Sequence, residues 1–205
     1  MNGTGSHALH AAILAAGASR RFGSPKQLAR LGGAPVLHEV IASASVVAGQ
    51  SVSVVIGAHA QAVAPTLRHS SASMVLNRHW EEGLASSIRR AVQAAPPGSE
   101  ALLLLLADQV AVIADDLRRL HAAWRRHPRL IAAALYGGAP GLPAIFPRWT
   151  FGDLMGLRGD TDPRLVIRRN IDQVVRIPMQ NAGIDLDTPE DLLLIEEARR
   201  RLEPQ

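Results

Sequence analysis

The sequence predicts an α/β protein with a mostly parallel mixed sheet covered by helices on both faces. Three observations carry this expectation. Short apolar runs alternate with helical patterns along the chain. The first run, Ala11 to Leu14, opens directly into a Gly-bearing cationic loop that extends to Lys26. A second run, Leu102 to Leu106, ends beside an acid, Asp108. Strand and helix in alternation is the pattern of a doubly wound sheet.

The apolar runs predict strands over Ala11 to Leu14, Ser51 to Ile56, Ser73 to Leu76, Ala101 to Leu106, Leu130 to Leu135, Pro143 to Phe146 and Val174 to Ile177. Helical spacing predicts Val36 to Val47, Leu84 to Ala94, Ile113 to Arg126 and Pro189 to Leu202. The last helix has a defined start. Asp187 or Thr188 can cap it, Pro189 suits the first helical position, and Glu190-Asp191 complement the N-terminal dipole. Arg199-Arg200-Arg201 suit the other end. No repeat, linker or low-complexity block divides the chain, so one domain over 1–205 is expected, with a small, polar, disordered segment at 1–9.

Composition narrows the class. The chain has 205 residues, enough for one substantial core. Apolar residues make up 47% and charged residues 20%, the balance of a soluble globular protein. The net charge is +4, but basic pairs are scattered and aromatics are only 3%, so no nucleic-acid partner is expected. There is no cysteine, which excludes disulfides, thiolate metal sites and cysteine catalysis. The longest apolar run, Ala101 to Ala107, is far short of the roughly 20 residues a membrane helix needs. The N-terminus lacks a charged region followed by an apolar one. No membrane association and a cytoplasmic location are expected.

The loop Leu14-Ala15-Ala16-Gly17-Ala18-Ser19-Arg20-Arg21-Phe22-Gly23-Ser24-Pro25-Lys26 has the chemistry of a phosphate cradle. Gly17 and Gly23 allow tight turns and close approach to a ligand. Backbone N–H groups can converge there on an anion. Arg21 offers a planar donor fork, and Lys26 a mobile point charge. Five residues separate Gly17 from Gly23, and no Lys-Ser/Thr pair follows, so the spacing is not that of a P-loop. The dinucleotide fingerprint G-x-G-x-x-G is absent as well. A Gly-rich turn with solvated arginines is the alternative.

Asp108 follows a buried strand and can reach the ligand crevice, where Mg²⁺ takes one or two carboxylates plus phosphate oxygens. A cap for the following helix is the bland reading. Asn77 can pair with a base edge, Ser86 sits near a helix N-terminus, and both are read as ligand contacts. Trp80 is read as packing. Asp185 and Asp187 alternate by two, so both can point one way. Either is a candidate second acid for a metal. The Gly17 loop, Asp108 and the Asp185–Asp187 segment are expected along one sheet edge. The eight histidines show no zinc spacing, and no Gly-x-Ser-x-Gly elbow occurs.

Six elements in order resemble the molybdenum cofactor (molybdopterin) cytidylyltransferase and guanylyltransferase family of the nucleotidyltransferase superfamily. The first is Leu14-Ala15-Ala16-Gly17-x-Ser19-x-Arg21-x-Gly23-x-x-Lys26, followed by Leu31-x-Gly33-x-Pro35-x-Leu37. The second is Asn77-x-x-Trp80-x-x-Gly83-Leu84-x-Ser86-Ser87. The third is Asp108-Gln109, with Val110 where the family has Pro. The fourth is Gly138-x-Pro140-Gly141-Leu142-Pro143-x-x-Phe146, with Leu142 where many members have His. The fifth is Leu157-x-Gly159-Asp160-x-Asp162-Pro163-Arg164, with Asp162-Pro163 in place of Gly-Ala. The sixth is Asp185-Leu186-Asp187-Thr188-Pro189-Glu190-Asp191.

The resemblance implies the three-layer, Rossmann-like nucleotidyltransferase fold. It implies CMP, or less readily GMP, moved from an NTP to the phosphate of molybdopterin with release of pyrophosphate. Ala16 in Ala-Ala-Gly implies CTP. Arg21, Lys26 and Asp108 are then catalytic. Leu14, Ala15, Ala16, Gly17, Ser19, Gly23, Asn77 and Ser86 bind the nucleotide. Gly141, Pro143, Gly159, Asp160 and Arg164 bind the acceptor. Asp108, Asp185 and Asp187 hold Mg²⁺, or alternatively Mn²⁺. A molybdoenzyme client is a further implied partner. A carboxylate facing an anionic acceptor would repel it, so either Asp162 points away as a cap before Pro163 or the acceptor differs; the cap is favoured because Asp-Pro is a common helix start. The alternatives are a nucleotidyltransferase for a sugar or alcohol phosphate, a non-catalytic chaperone that delivers molybdopterin nucleotide, and a reductase.

Overall fold

In the computed structural model, residues 8–202 are described, with side chains through residue 197. A seven-stranded sheet runs through the molecule in the order β5-β4-β1-β6-β8-β7-β9. Its strands are β1 (Leu9–Ala15), β4 (Val52–Ile56), β5 (Ser73–Leu76), β6 (Ala101–Leu106), β7 (Ile131–Tyr136), β8 (Ala139–Pro147) and β9 (Val174–Pro178). The short pair β2 (Arg30–Leu31) and β3 (Ala34–Pro35) forms a separate hairpin. β1 pairs parallel with β4 and β6, β4 with β5, and β7 with β9. Only β8 pairs antiparallel with both of its neighbours. The predicted mixed, mostly parallel sheet is therefore present.

Alternate residues of each central strand feed two cores. Ala11, Ile13, Val52, Val54, Leu103 and Leu105 pack against Leu37, Val40 and Ile41 of α1 (Val36–Ala48), Val63 of α2 (Ala60–Leu67) and Leu117 and Trp124 of α4 (Ala114–Arg126). Ala12, Leu14, Val55, Leu102 and Leu104 face the other way. They meet Ala85, Ile88 and Ala91 of α3 (Leu84–Ala94), Leu154 of α5 (Phe151–Gly156) and Val166 of α6 (Arg164–Arg169). Helices thus cover both faces, because the side chains of the central strands are almost all apolar and need burial on each side, the exceptions being His10 of β1 and Ser53 of β4, which are buried and bonded to each other. A third cluster joins Leu31, Val36, Val110, Leu186 and Ile195, and seats α7 (Asp191–Leu202) over the loops that follow β6 and β9.

All seven expected strands and four expected helices occur, with ends shifted by a few residues. The final helix begins at Asp191, not Pro189. At its entry the Asp191 carboxylate accepts the N–H groups of Asp187 and Thr188, at 2.9 and 2.7 Å, and the second of these is the reciprocal half of a capping box with Thr188. Of the segment 1–9 expected to be disordered, residues 1–7 lie outside the described residues, whereas Leu9 is buried and opens β1. The Arg199–Arg201 side chains also lie outside them. No helix among the described residues is long and apolar enough to cross a membrane.

Candidate active site

The crevice of an open α/β sheet lies beyond the carboxyl ends of its strands, where the order reverses. Here β1 continues through α1 to β4 on one side and has β6 on the other. A cleft of about 740 Å³ opens at that point. Leu14, Ala15, Ala16, Gly17, Ser19, Arg21 and Lys26 line it from the loop after β1, and Asp108 lines it from the loop after β6. Asp160 and Asp187 complete the wall.

The loop after β1 is fastened on several sides. Gln27 is buried and donates from Nε2 to the Ala15 carbonyl at 2.9 Å. The His59 ring contacts the Ala18 carbonyl through Nε2 at 2.9 Å. Ser19 Oγ accepts the Lys26 N–H at 3.3 Å. Ser19 itself carries φ of +50°, and Gly23, at φ +78°, closes a turn onto the Ser19 carbonyl at 3.1 Å. Gly23 does not line the cleft, so its part is to shape the turn. A Cβ on Gly17 would meet nothing within 4 Å, which leaves that backbone open to a ligand.

The charged residues converge as the sequence spacing suggested. Lys26 Nζ donates to Asp108 Oδ2 at 2.6 Å and lies 3.5 Å from Asp187 Oδ1. Arg21 reaches Asp187 Oδ2 at 3.0 Å. The Leu186 N–H donates to the Asp108 carbonyl at 3.0 Å, which draws the two acidic segments together. Asp185 belongs to the same group but does not line the cleft. Its carboxyl is pushed up to about 6, first by the protein crowded around it and then by Asp108 and Asp187, while Lys26 and Arg164 oppose the shift.

These residues suit a hard cation. Asp108 Oδ1 is buried and has no hydrogen-bond partner among the described residues, although its other oxygen is paired. An ammonium already occupies the space between two carboxylates. No group of three or more His, Cys, Asp or Glu among the described residues forms a complete metal cage. Mg²⁺ does not need one, since it keeps waters and phosphate oxygens in its shell.

The second constellation differs from expectation. Asn77 and Ser86 are buried, and neither lines the cleft. Asn77 Nδ2 donates to Ser86 Oγ at 2.8 Å and to Ser87 Oγ at 3.0 Å, and Ser86 Oγ donates to the Gly83 carbonyl at 2.8 Å. Their polar atoms are spent on the start of α3 and, through Asn77 Oδ1, on the His79 N–H at 3.0 Å. Trp80, Glu81, Gly83, Leu84 and Ser87 are the residues of this segment that line the cleft. Trp80, read as packing, does both: its Cβ would lie 2.7 Å from a Cβ on Gly57. Nothing in the sequence separates Ser86 from Ser87. The helical phase that chooses between them is set by Gly83, whose φ is +100°.

The structure divides the expected acceptor residues. Asp160 lines the cleft, whereas Gly141, Pro143, Gly159 and Arg164 lie outside its lining. Gly159 accepts the Ala85 N–H at 3.0 Å, and Pro143 is buried within β8. Leu142 turns into the core, and only its carbonyl is used, accepting Gln109 Nε2 at 2.8 Å. Asp162 is the expected cap, with Oδ1 accepting the Arg164 N–H at 2.7 Å. Arg164 donates from Nη2 to the Tyr136 hydroxyl. The sequence reading gave no role to Gln27, Gln109 and Tyr136. The first two follow Lys26 and Asp108 directly, a signal available in the sequence; Tyr136 carried none.

Comparison with known proteins agrees with this geometry. The MobA-like NTP transferase domain matches residues 11–174. Nicotine blue oxidoreductase of Paenarthrobacter nicotinovorans is 29% identical over 195 residues, which cover 88% of this chain and 92% of that protein. The structure of an Rv0371c homologue from Mycobacterium sp. strain JC1 is 30% identical and covers 96% of this chain and 99% of its own, with a TM-score of 0.81. Rv0371c of Mycobacterium tuberculosis H37Rv in complex with manganese is 25% identical, covers 92% of this chain and 98% of its own, and has a TM-score of 0.76. With the family match spanning β1 to the start of β9 and the cationic loop facing Asp108 across one cleft, the chain belongs to the MobA-like NTP transferase family and is a nucleotidyltransferase.

Proposed function

We propose that this protein transfers CMP from CTP to the phosphate of molybdopterin. The observation that carries the reading is the meeting of Lys26 with Asp108 and Asp187, at 2.6 and 3.5 Å, in the wall of the cleft. Arg21, Lys26 and the amides of the Gly17 loop bind the triphosphate. An acceptor phosphate oxygen attacks the α-phosphorus in line. The bond from that phosphorus to the bridging oxygen breaks, and pyrophosphate leaves with the electron pair. No covalent protein intermediate is required, because positioning and electrostatics supply the rate in such transfers. Asp108, with Asp187 or Asp185, would hold Mg²⁺ or Mn²⁺, which supplies charge neutralisation at the phosphates when bound. Leaving Asp108, Lys26 moves onto the triphosphate and follows the charge to pyrophosphate.

Ala16 supports cytosine as the base. It lines the cleft, and Ala-Ala-Gly is the form of the loop for which the family resemblance implies CTP. Gly159, Asp160, Arg164, Gly141 and Pro143 form the acceptor side. A sugar or alcohol phosphate as acceptor is the second reading, favoured by Leu142, whose side chain is in the core and offers no polar group to the acceptor.

A screen of CTP, GTP, ATP and UTP against molybdopterin and simple sugar and alcohol phosphates, read as pyrophosphate release, tests this. CTP with molybdopterin is the expected productive pair, and calorimetry with Mg²⁺ should show CTP bound more tightly than GTP. Release only with another acceptor would replace molybdopterin. CTP-molybdopterin binding with no release would favour a delivery chaperone. The likeness to nicotine blue oxidoreductase adds one control, NAD(P)H oxidation, and turnover there without pyrophosphate would favour a reductase.

A further inference from the structure

We propose that Tyr136 is a positioning residue that aims Arg164 at a phosphomonoester dianion, making the pair the subsite for the acceptor's attacking phosphate. The inference rests on the transfer reading above and names the part of the site that holds the second substrate.

Tyr136 ends β7, and Arg164 opens α6. The guanidinium donates to the phenol oxygen, and its carbon lies 5.3 Å from the ring centroid. Both contacts fix the guanidinium, but a neutral phenol cannot neutralise it. Asp162 and Asp185 attract it by charge, but among the described residues neither hydrogen-bonds the guanidinium. Asp162 gives Oδ1 to the Arg164 backbone N–H at 2.7 Å, and its Oδ2 stays 3.9 Å from Nε, beyond hydrogen-bond range. The Arg164 side chain is 44% exposed. A planar fork that is oriented, accessible and without a bidentate carboxylate partner is suited to an anion.

The backbone is shaped around the pair. A Cβ on Gly141 would lie 2.7 Å from both Arg164 Nε and the Tyr136 hydroxyl. A Cβ on Gly183 would lie 3.1 Å from the Tyr136 ring. Two glycines, one within β8 and one in the 3-10 turn that follows β9, therefore leave room for one tyrosine and the arginine it holds. Arg164 lies outside the cleft lining, but Gln109, next to Asp108, donates to the Leu142 and Ala182 carbonyls beside these two glycines and so ties the pair to the segment that carries Asp108.

Tyr136 is the sole tyrosine of the chain, so ζ-¹³C-tyrosine gives one resonance that reports on this pair. The experiment titrates the full-length protein at neutral pH with methyl phosphate, and separately with acetate. A saturable shift with methyl phosphate and none with acetate is expected. The shift should vanish in Arg164→Met and persist in Lys26→Met, which removes the cation of the triphosphate loop and separates the two anion sites. Arg164→Lys keeps the charge but loses the fork, and it should weaken binding if Arg164→Met does not fold. Binding read by ³¹P line broadening should fall about fivefold in Tyr136→Phe, which keeps the ring and removes the hydrogen bond that fixes the guanidinium. No saturable shift, an equal shift in Arg164→Met, or loss of the shift in Lys26→Met overturns the subsite. An equal response to acetate overturns its phosphate preference, and unchanged affinity in Tyr136→Phe overturns the positioning role. CTP takes no part in this titration, so its failure is distinguishable from failure of the pyrophosphate screen.

Discussion

Asp108 keeps its two oxygens in different surroundings. Oδ2 is paired with Lys26 at 2.6 Å, and Oδ1 is buried without a partner. A group in that state is prepared for an incoming cation and has little else to do. Asp108→Asn should leave the circular dichroism spectrum unchanged and lower turnover about a hundredfold or more, since metal-assisted charge stabilisation contributes several kcal/mol. Near-normal pyrophosphate release would remove Asp108 from the chemistry. Asp185 makes a different prediction. Its folded carboxyl is raised from 3.8 to about 6, so the folded protein prefers the protonated form. The sign follows from proton linkage: stability from this group is greatest at low pH and is lost as pH rises through about 6. Asp185→Asn should therefore melt higher than the wild type at pH above that value in chelator, and the advantage should shrink as the pH is lowered. Solvent screening at this exposed residue limits its size. Asp108 and Lys26 were legible in the sequence because each follows a buried run at a fixed distance. The choice of Ser87 over Ser86 was not, because adjacent hydroxyls look alike until a helical phase is known.

At the level of elements, the start of α3 shows how a local sequence is set by a distant one. Gly83 has φ of +100°, and a Cβ there would strike the Asp160 side chain and come within 2.6 Å of the Gly159 backbone. The residue is thus both a turn and the floor on which the Gly159–Asp160 turn rests. Gly83→Ala should destabilise the fold by about 1–3 kcal/mol from the strained conformation and weaken CTP binding together, which thermal melting and calorimetry would show. Normal CTP affinity in a destabilised variant would separate Gly83 from the site. The long helices α1, α3 and α4 could be read from periodicity, as in Leu37, Val40, Ile41 and Ala44 on the buried face of α1. α5 and α6 could not, because six residues give under two turns and no repeating apolar stripe. α2 was missed for a related reason: it is eight residues long and contains Pro65.

Across the whole molecule, the apolar strands place a ligand cleft at one end of the sheet and a buried histidine near the other. His10, near the start of β1, is 3% exposed and bonds Ser51 Oγ and Ser53 Oγ through its two ring nitrogens, both at 2.9 Å. Burial holds its pKa below the ordinary 6.5. The unfolded chain accepts a proton there that the fold refuses, so this group's contribution is full above 6.5 and declines as the pH falls below it. Denaturation by urea should show that decline in the wild type and a flatter acid limb in His10→Gln; an identical slope would mean that other groups set it. By itself the sequence determined the layered α/β class, the cationic loop and the acids opposite it. Alternating apolar runs and residue spacing are local properties, and a strand's end fixes which loop meets the crevice. Only the tertiary structure decided which of those side chains face the cleft. It turned Asn77 and Ser86 inward, sent Leu142 into the core and joined Tyr136 to Arg164. These outcomes depend on contacts between residues far apart in the chain, and no local pattern encodes them.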